Sequence, residues 1–271
     1  MAKILLISWG PDPEIFSGFP YFRWYSLFWG AGIYLSFLVM AHIFRRDNRE
    51  LRLLDQLALN VMIGVVIGAR MGHVLFYDPI YYLNNPIEIL PFRINPHFEF
   101  TGLLGLASHG GVLGGLLALV LFNRRHKIGF YWALDRLVIV GALLGACIRV
   151  GNFFNSEIIG VPTDLPWAVV FIRVDAVPRH PTQLYEACYY LMVFFLLYTF
   201  WRKNKKTSSG FLTGLGLTLL FTQRFLIEFL KEDQVAFESD LILNMGQILS
   251  IPIAILGFIL MAVKRKPAPP E

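Results

Sequence analysis

Charged residues are scarce in this sequence: they make up 16% of its 271 residues, against about a quarter in an average soluble protein. Cysteine is scarce too, and Cys147 and Cys188 both lie in apolar stretches, which indicates neither a disulfide framework nor a metal site. Apolar residues are abundant instead, at 56%, with a mean hydropathy of +0.56. This composition excludes an ordinary soluble enzyme and a disordered chain, and it indicates a protein that folds in a bilayer.

Long apolar runs predict seven transmembrane helices, each close to the roughly 20 residues that a helix needs to cross the hydrocarbon core. The runs cover 24–43, 57–76, 102–122, 134–150, 184–201, 211–230 and 242–263. The sequence therefore predicts an all-α integral membrane protein with one polytopic domain over 1–271. The polar segments 78–101 and 152–182 are expected to form a small extracytoplasmic cap.

Basic residues cluster after alternate predicted spans, and such clusters usually face the cytoplasm. The clusters are Arg45, Arg46, Arg49 and Arg52; Arg124, Arg125 and Lys127; Arg202, Lys203, Lys205 and Lys206; and Lys264, Arg265 and Lys266. This pattern predicts an N-terminus outside and a cytoplasmic C-terminus. Because much of the basic charge lies in these topology signals, the net charge of +5 does not indicate nucleic-acid binding.

Glycines recur at intervals of four within the predicted spans. They are Gly64, Gly68 and Gly72; Gly110 and Gly114; Gly111 and Gly115; and Gly141 and Gly145. This spacing lets helix backbones approach closely in a bilayer, so these glycines are expected to pack helices together.

Polar residues of all seven spans fall in the same half of the membrane in the predicted orientation. They are Tyr25, Arg70, His73, His109, Arg149, Asn152, Asn155, Glu157, Arg179, His180, Gln183, Glu186, Gln223, Arg224, Glu228 and Gln247. Charged groups are costly inside a membrane, so they are usually buried in the bundle, paired and functional. The pattern predicts a polar cavity that opens to the extracytoplasmic side. In contrast, Asp135 and Arg136 are interpreted as an interfacial anchor pair at the cytoplasmic end of the fourth span.

Arginines slightly outnumber glutamates in this predicted cavity, and Arg224 and Glu228, four residues apart, are expected to pair. A guanidinium without a carboxylate partner suits a phosphate, so an anionic lipid headgroup is the expected ligand. Each residue also has a simpler interpretation: Arg149 as a snorkelling side chain, His109 as a neutral histidine bonded to a carbonyl, and Tyr25 as part of an aromatic belt.

An anion or lipid transporter is the main alternative, because it too would have a basic cavity. A transporter predicts internal repeats and broken helices near the bilayer midplane. The two halves of the sequence show no convincing repeat, and the polar residues lie toward one face of the membrane. These features favour an enzyme over a transporter.

The motifs of the predicted cavity resemble those of the bacterial phosphatidylglycerol–prolipoprotein diacylglyceryl transferase family. The matching segments, in order, are His109–Gly114, Arg149–Gly160, Arg179–Glu186, Arg224–Glu228 and Asn244–Ser250. The resemblance implies a seven-span enzyme of the bacterial inner membrane with its active site toward the extracytoplasmic side. Such an enzyme transfers the diacylglyceryl group of phosphatidylglycerol to the lipobox cysteine of a prolipoprotein, forming a thioether and releasing glycerol phosphate. It implies no metal or other cofactor.

The resemblance also implies roles for individual residues. The residues expected to bind the lipid headgroup are Arg149, Asn152, Glu157, Gly160 and Glu228, together with Arg70 from the predicted cavity; those expected at the reaction are His109, Arg149, Arg224 and Tyr25. The arginines would stabilise charge on the departing phosphate, and His109 is the candidate base for the thiol proton. Two positions depart from the family pattern: Ser156 stands where glycine is expected, and Leu220 where tyrosine is expected.

Overall fold

A computed structural model describes residues 7–16, 18, 22–93, 97–100, 105–204, 208–232 and 242–263. Within these ranges the chain forms two compact units. One unit runs up to Ile43 and resumes at Tyr131, and the other covers Phe44–Phe130. The start of the third predicted span and the basic residues at 205–206 and 264–266 lie outside the described residues.

The predicted spans form helices. The helices are α1 Trp24–Arg46, α2 Leu51–Phe76, α3 Pro79–Asn84, α4 Ser108–His126, α5 Phe130–Asn155, α6 Thr182–Lys203, α7 Phe211–Ile227 and α8 Met245–Ala262. Five of the described helices, namely α1, α2, α5, α6 and α8, are long and apolar enough to cross a membrane. The protein is therefore a mainly helical, multi-span membrane protein. The predicted fourth span lies within α5, which has 26 residues and carries Arg149 and Asn152 within its last two turns.

In the second unit, α2 and α4 pack through their glycines. A Cβ atom on Gly68 would lie 2.3 Å from the carbonyl oxygen of Gly110, and one on Gly64 would lie 2.6 Å from that of Gly114. Backbones in such close contact leave no room for any side chain, which confirms the predicted glycine packing of these two helices. Gly141 was predicted to pack similarly, but a Cβ atom there would meet nothing within 4 Å.

Short strands form two small sheets, one in each unit. In the first unit, β1 Ile7–Trp9 pairs parallel with β4 Val169–Phe171, which pairs antiparallel with β5 Pro178–Arg179. In the second unit, β2 Phe92–Arg93 and β3 Glu99–Phe100 form a two-stranded antiparallel sheet. Two further turns, Pro86–Ile89 and Glu228–Leu230, are 3-10 helices.

A small apolar core fixes the strands of the first unit to the end of α5. Phe153, at that end, is buried with Val169 and Phe171 of β4. Trp9 stacks on Phe153 with ring centroids 4.4 Å apart and donates its indole N–H to the Phe153 carbonyl at 3.0 Å. This core holds in place the polar segment that follows α5.

Asp135 has a different role from the predicted interfacial anchor. Its side chain is buried, and its carboxylate accepts hydrogen bonds from the backbone N–H of Gly210 at 2.8 Å and of Thr213 at 2.8 Å. Since α7 begins after Gly210, which has no side chain, Asp135 satisfies the open N–H groups of the first turn of α7 from a neighbouring helix. The anchor interpretation is therefore wrong for Asp135.

Candidate functional site

Arg149 lies near the end of α5 with its guanidinium largely buried, the side chain being 12% exposed. Its Nε atom is 3.1 Å from Glu186 Oε2 on α6, and its Nη1 atom donates to Asn152 Oδ1 at 3.2 Å. The hydroxyl of Tyr190 lies near the Arg149 guanidinium. Because Asn152 is three residues further along α5, both side chains lie on the same face of that helix.

Lys231 is a member of this cluster that the sequence analysis missed. Its Nζ atom lies 3.1 Å from Glu186 Oε1 and 3.0 Å from Glu228 Oε1, and its side chain is 2% exposed. A lysine between two predicted spans is usually exposed, so the sequence alone indicates no role for Lys231. The available signal was its position three residues after Glu228, on the face that a continuing helix would share.

Glu228 joins α7 to the start of α8. Its carboxylate contacts Lys231, and Asn244 donates to it at 3.4 Å. The predicted pair with Arg224 is present, but the Nε–Oε1 distance is longer, at 3.8 Å. A Cβ atom on Gly246 would lie 2.6 Å from Glu228 Oε1, so glycine leaves room for the carboxylate beside the first turn of α8. The partial positive charge of a helix N-terminus stabilises a carboxylate there.

Arg224 is the more accessible arginine of the cluster, with a side chain that is 39% exposed. It lines a pocket of about 130 Å³ between α5, α6 and α7. The pocket is lined by Gly141, Ala142, Tyr190, Leu220, Phe221 and Arg224. Leu220, one of the two departures from the family pattern, is thus in the pocket wall.

A strained turn presents Glu157 directly after α5. Asn152 and Asn155 donate to Glu157 Oε1 at 2.7 Å and 3.4 Å. The residues on either side, Ser156 and Ile158, have φ angles of +55° and +59°. This left-handed backbone suits glycine, the residue that the family resemblance leads us to expect at position 156, and it is strained for a β-branched residue such as isoleucine.

The strained turn is held by the first turn of α6. Gln183 donates to the carbonyl oxygen of Glu157 at 2.7 Å, and the Thr182 hydroxyl donates to that of Ile158 at 2.9 Å. Both side chains are fully buried. Strain of this kind persists only where surrounding contacts enforce it, and it is concentrated at functional sites.

Gly160 lies between two backbone segments. Its N–H donates to the carbonyl of His180 at 3.0 Å, and a Cβ atom would lie 2.7 Å from the carbonyl oxygens of both His180 and Leu230. The geometry therefore requires glycine here for packing. Whether Gly160 also touches a ligand stays a prediction.

Arg179 stabilises the loop beside Gly160 through ion pairs and a hydrogen bond. Its guanidinium is 2.6 Å from Asp175 Oδ2 and 3.0 Å from Glu232 Oε1, and Nη1 donates to the Gly160 carbonyl at 3.2 Å. The hydrogen bond from Arg179 lowers the pKa of Asp175, and the same bond raises the pKa of Arg179. Arg179 is thus paired with two carboxylates.

Tyr25, in the first turn of α1, belongs to the same unit as Arg149. Its ring packs on α5 at Gly151, where a Cβ atom would lie 3.1 Å from Tyr25 Cδ2. The first unit therefore contains most of the predicted site residues: Tyr25, Arg149, Asn152, Glu157, Gly160, Arg224 and Glu228.

Arg70 and His109 belong to the second unit. Arg70 donates to the backbone carbonyls of Glu88, Ile89 and Gly105, at 2.8 Å for Ile89 and 3.3 Å for Gly105. Its guanidinium also lies over the Tyr82 ring, 5.0 Å from the centroid. These contacts hold the segment between α2 and α4, and a ligand role for Arg70 stays a prediction. His109 is an exposed residue in the first turn of α4.

The cluster around Arg149 has the chemistry of an anion site. Arg149, Arg224 and Lys231 face the buried carboxylates Glu186 and Glu228, which leaves an excess of positive charge at the most accessible member, Arg224. Among the described residues, no three His, Cys, Asp or Glu side chains come together as metal ligands.

Comparisons with known proteins agree with the motifs. The model of a family described as prolipoprotein diacylglyceryl transferase matches residues 13–263. Relatives named phosphatidylglycerol–prolipoprotein diacylglyceryl transferase include one from Bacteroides fragilis, 44% identical over 95% of this chain and 95% of its own length. The relative from Tolumonas auensis is 44% identical over 96% and 98% of the two chains, and that from Chloroherpeton thalassium 42% over 94% and 92%.

Proposed function

Because this chain belongs to the prolipoprotein diacylglyceryl transferase family, we propose that the cluster around Arg149 is its phosphatidylglycerol site. The chain transfers the diacylglyceryl group of phosphatidylglycerol to prolipoproteins, a step of lipoprotein biosynthesis. The location of the lipid within the protein is the part that we propose.

One observation carries this location: a half-exposed arginine, Arg224, lines a pocket beside the buried ion pairs of Arg149. The two arginines are linked through Glu186, Lys231 and Glu228, with contacts of 3.0 to 3.8 Å. The carboxylates hold the cations in place, and the excess positive charge is available to a phosphate. The lipid phosphate lies between Arg149 and Arg224 in this proposal.

The reaction is a displacement at the glyceryl carbon that bears the phosphate. The cysteine sulfur of the prolipoprotein lipobox bonds to this carbon, and the carbon–oxygen bond breaks. Glycerol phosphate leaves with the bonding electrons, and the thiol proton passes to a base. Arg149 and Arg224 stabilise the charge that grows on the phosphate, which is the step at which preorganised donors contribute most.

Tyr25, Asn152 and Glu157 complete the headgroup side of the site. Asn152 connects Arg149 to Glu157 through hydrogen bonds of 3.2 Å and 2.7 Å, so it orients both. The exposed carboxylate of Glu157 suits the hydroxyl groups of the glycerol headgroup.

For the base that removes the thiol proton we propose His109, from its sequence motif and from imidazole chemistry. A thiolate is the effective nucleophile, and histidine has an ordinary pKa close enough to neutrality to accept the proton. The test is the pH dependence of kcat for His109→Gln against that of the unchanged protein.

The topology that we propose has seven spans, with α4 and α7 added to the five long apolar helices. A 17-residue helix spans about 25 Å, and the 3-10 turn at Glu228–Leu230 lengthens α7 toward the roughly 30 Å hydrocarbon core. Arginine pairs at the ends of α1 and α4, and Arg202 with Lys203 at the end of α6, favour a cytoplasmic location for these ends. The Arg149 cluster then faces the extracytoplasmic side of the bacterial inner membrane.

A coupled assay tests the proposed function. The purified protein in detergent is incubated with phosphatidylglycerol and a peptide that carries a lipobox cysteine, and glycerol phosphate release and peptide mass are followed together. We expect equal amounts of glycerol phosphate and of peptide with one added diacylglyceryl group. A peptide with serine in place of the cysteine is the control. Release that continues with the serine peptide would contradict transfer to the thiol.

A further inference from the structure

Tyr190 of α6 lies close to both arginines of the proposed headgroup site. It lines the same pocket as Arg224, and its hydroxyl lies near the Arg149 guanidinium. Neither the composition nor the motifs pointed to this tyrosine, because it is one of many aromatic residues in an apolar span.

The position of the Tyr190 ring is set by a glycine on α5. A Cβ atom on Gly145 would lie 2.9 Å from Cδ2 and 3.2 Å from Cε2 of the ring. Any larger residue at 145 would push the ring away, so glycine allows it to lie directly against the helix that carries Arg149. The ring is therefore fixed by packing, which keeps the hydroxyl at one location.

The rest of the pocket wall consists of small residues on one side and large apolar residues on the other. Gly141 and Ala142 form the α5 side, and a Cβ atom on Gly141 would meet nothing within 4 Å. Leu220 and Phe221 form the α7 side and are apolar. One hydroxyl and one guanidinium in an otherwise apolar pocket suit a ligand that has a phosphate at one end and a hydrocarbon portion at the other.

The donors of Arg149 determine which hydrogen bond the Tyr190 hydroxyl can make to a ligand. A guanidinium has donors only, so the phenol oxygen can act toward Arg149 only as an acceptor. Its O–H proton then remains to be donated, and a phosphate oxygen in the pocket would accept it.

We propose that Tyr190 is a positioning and binding residue of the headgroup site: it orients Arg149 and donates its O–H to the phosphate of phosphatidylglycerol. This inference rests on the proposed function, and it assigns to the pocket the phosphate and the adjoining glyceryl carbon. The phosphate would then contact Tyr190, Arg149 and Arg224 together.

The direct test is Tyr190→Phe, which removes the hydroxyl and keeps the ring. We expect kcat/KM for phosphatidylglycerol to fall by about tenfold or more, the effect of losing one hydrogen bond to a charged group. The KM for the lipobox peptide should not change. A purely structural role would alter the parameters of both substrates and the thermal stability, so the restriction to the lipid distinguishes the two.

Tyr189→Phe is the matched control. Tyr189 is the preceding residue on α6, and its hydroxyl donates to the carbonyl of Leu219 at 3.3 Å, outside the pocket wall. We expect its kinetic parameters for phosphatidylglycerol to equal those of the unchanged protein. Equal losses in the two variants would overturn the assignment to Tyr190.

A rescue variant moves the hydroxyl across the pocket. Leu220 lines the wall opposite α5, so Leu220→Tyr combined with Tyr190→Phe places a phenol in the same space. We expect this double variant to regain part of the activity lost in Tyr190→Phe. Full activity of Tyr190→Phe would overturn the inference.

Lipid retention separates failure of this inference from failure of the proposed function. Native mass spectrometry counts the phosphatidylglycerol molecules that remain bound to each purified variant. If the unchanged protein shows no thiol-dependent transfer, the proposed function fails, but weaker retention by Tyr190→Phe than by Tyr189→Phe still supports the phosphate contact. If transfer occurs and the two variants match in kinetics and in retention, only the role of Tyr190 is overturned.

Discussion

The Lys231 ammonium lies 3.1 Å from the Glu186 carboxylate, although the two residues are 45 positions apart in the chain. Their side chains are 2% and 0% exposed. Glu186 also faces Arg149, and Lys231 also contacts Glu228, so one chain of ion pairs connects α5, α6 and the end of α7. Removing any member leaves a buried charge without its partner, which makes the arrangement costly to alter.

Lys231→Met is expected to destabilise the protein by about 3–5 kcal/mol, because Glu186 and Glu228 would both be buried without this cation. Thermal unfolding in detergent measures the effect. Lys231→Arg keeps the charge and should retain most of the stability. Unfolding of Lys231→Met at the same temperature as the unchanged protein would show that these ion pairs do not contribute to the stability of the folded protein.

Arg149→Ala is expected to lower kcat/KM for phosphatidylglycerol by about 100-fold or more while the protein still inserts into the membrane, since a preorganised donor to the departing phosphate is lost. The coupled assay measures it. Arg136→Ala is the matched control on the same helix: Arg136 lies over the Trp132 ring at 4.6 Å, so its loss should cost about 0.5–1 kcal/mol of stability and leave activity unchanged. Full activity of Arg149→Ala would show that Arg149 is not part of the headgroup site.

Gly160→Ala is expected to destabilise the loop beside Arg179 by about 1–3 kcal/mol, because the added Cβ atom would collide with two backbone carbonyls. Limited proteolysis and thermal unfolding measure the change. Gly30→Ala on α1 is the control, since a Cβ atom there meets nothing within 4 Å and alanine favours helix. Equal stability of the two variants would contradict the packing role of Gly160.

Asp175 and Arg179 predict a pH dependence of stability. The hydrogen bond from Arg179 lowers the pKa of Asp175 in the folded state, so the pair stabilises the protein above the unfolded pKa of about 3.9. This contribution is lost as the pH falls through the lowered folded pKa. The difference in melting temperature between the unchanged protein and Asp175→Asn should therefore be full at about pH 6 and shrink as the pH falls through the lowered folded pKa. A difference that stays constant over this range would contradict the pairing.

The helices were predictable from the sequence because a bilayer demands long apolar runs, and close packing at Gly64, Gly68, Gly110 and Gly114 because their spacing permits it. The pair Arg224–Glu228 was predictable too, since both lie on one helix four residues apart. In each case the signal is local, or repeats with the period of a helix.

The remaining contacts join residues that are distant in the chain, and no local pattern reveals them. Asp135 caps α7 from 75 residues away, and Lys231 reaches Glu186 across 45. In the sequence, nothing distinguishes Tyr190 from the other aromatic residues of α6. Only the structure shows that it lies beside Arg149 and Gly145. Such roles depend on which helix faces meet, a property of tertiary packing that spacing along one helix does not determine.

Photo-crosslinking tests the central claim, that the lipid phosphate lies between Arg149 and Arg224. Phosphatidylglycerol carrying a diazirine on the glyceryl portion is incubated with the full-length protein in detergent and irradiated, and the labelled peptides are sequenced by mass spectrometry. The account predicts label on the segments of α5, α6 and α7 that line the pocket, around Ala142, Tyr190 and Leu220, and its loss in Arg149→Ala. Label confined to α2 and α4, unchanged in Arg149→Ala, would contradict it.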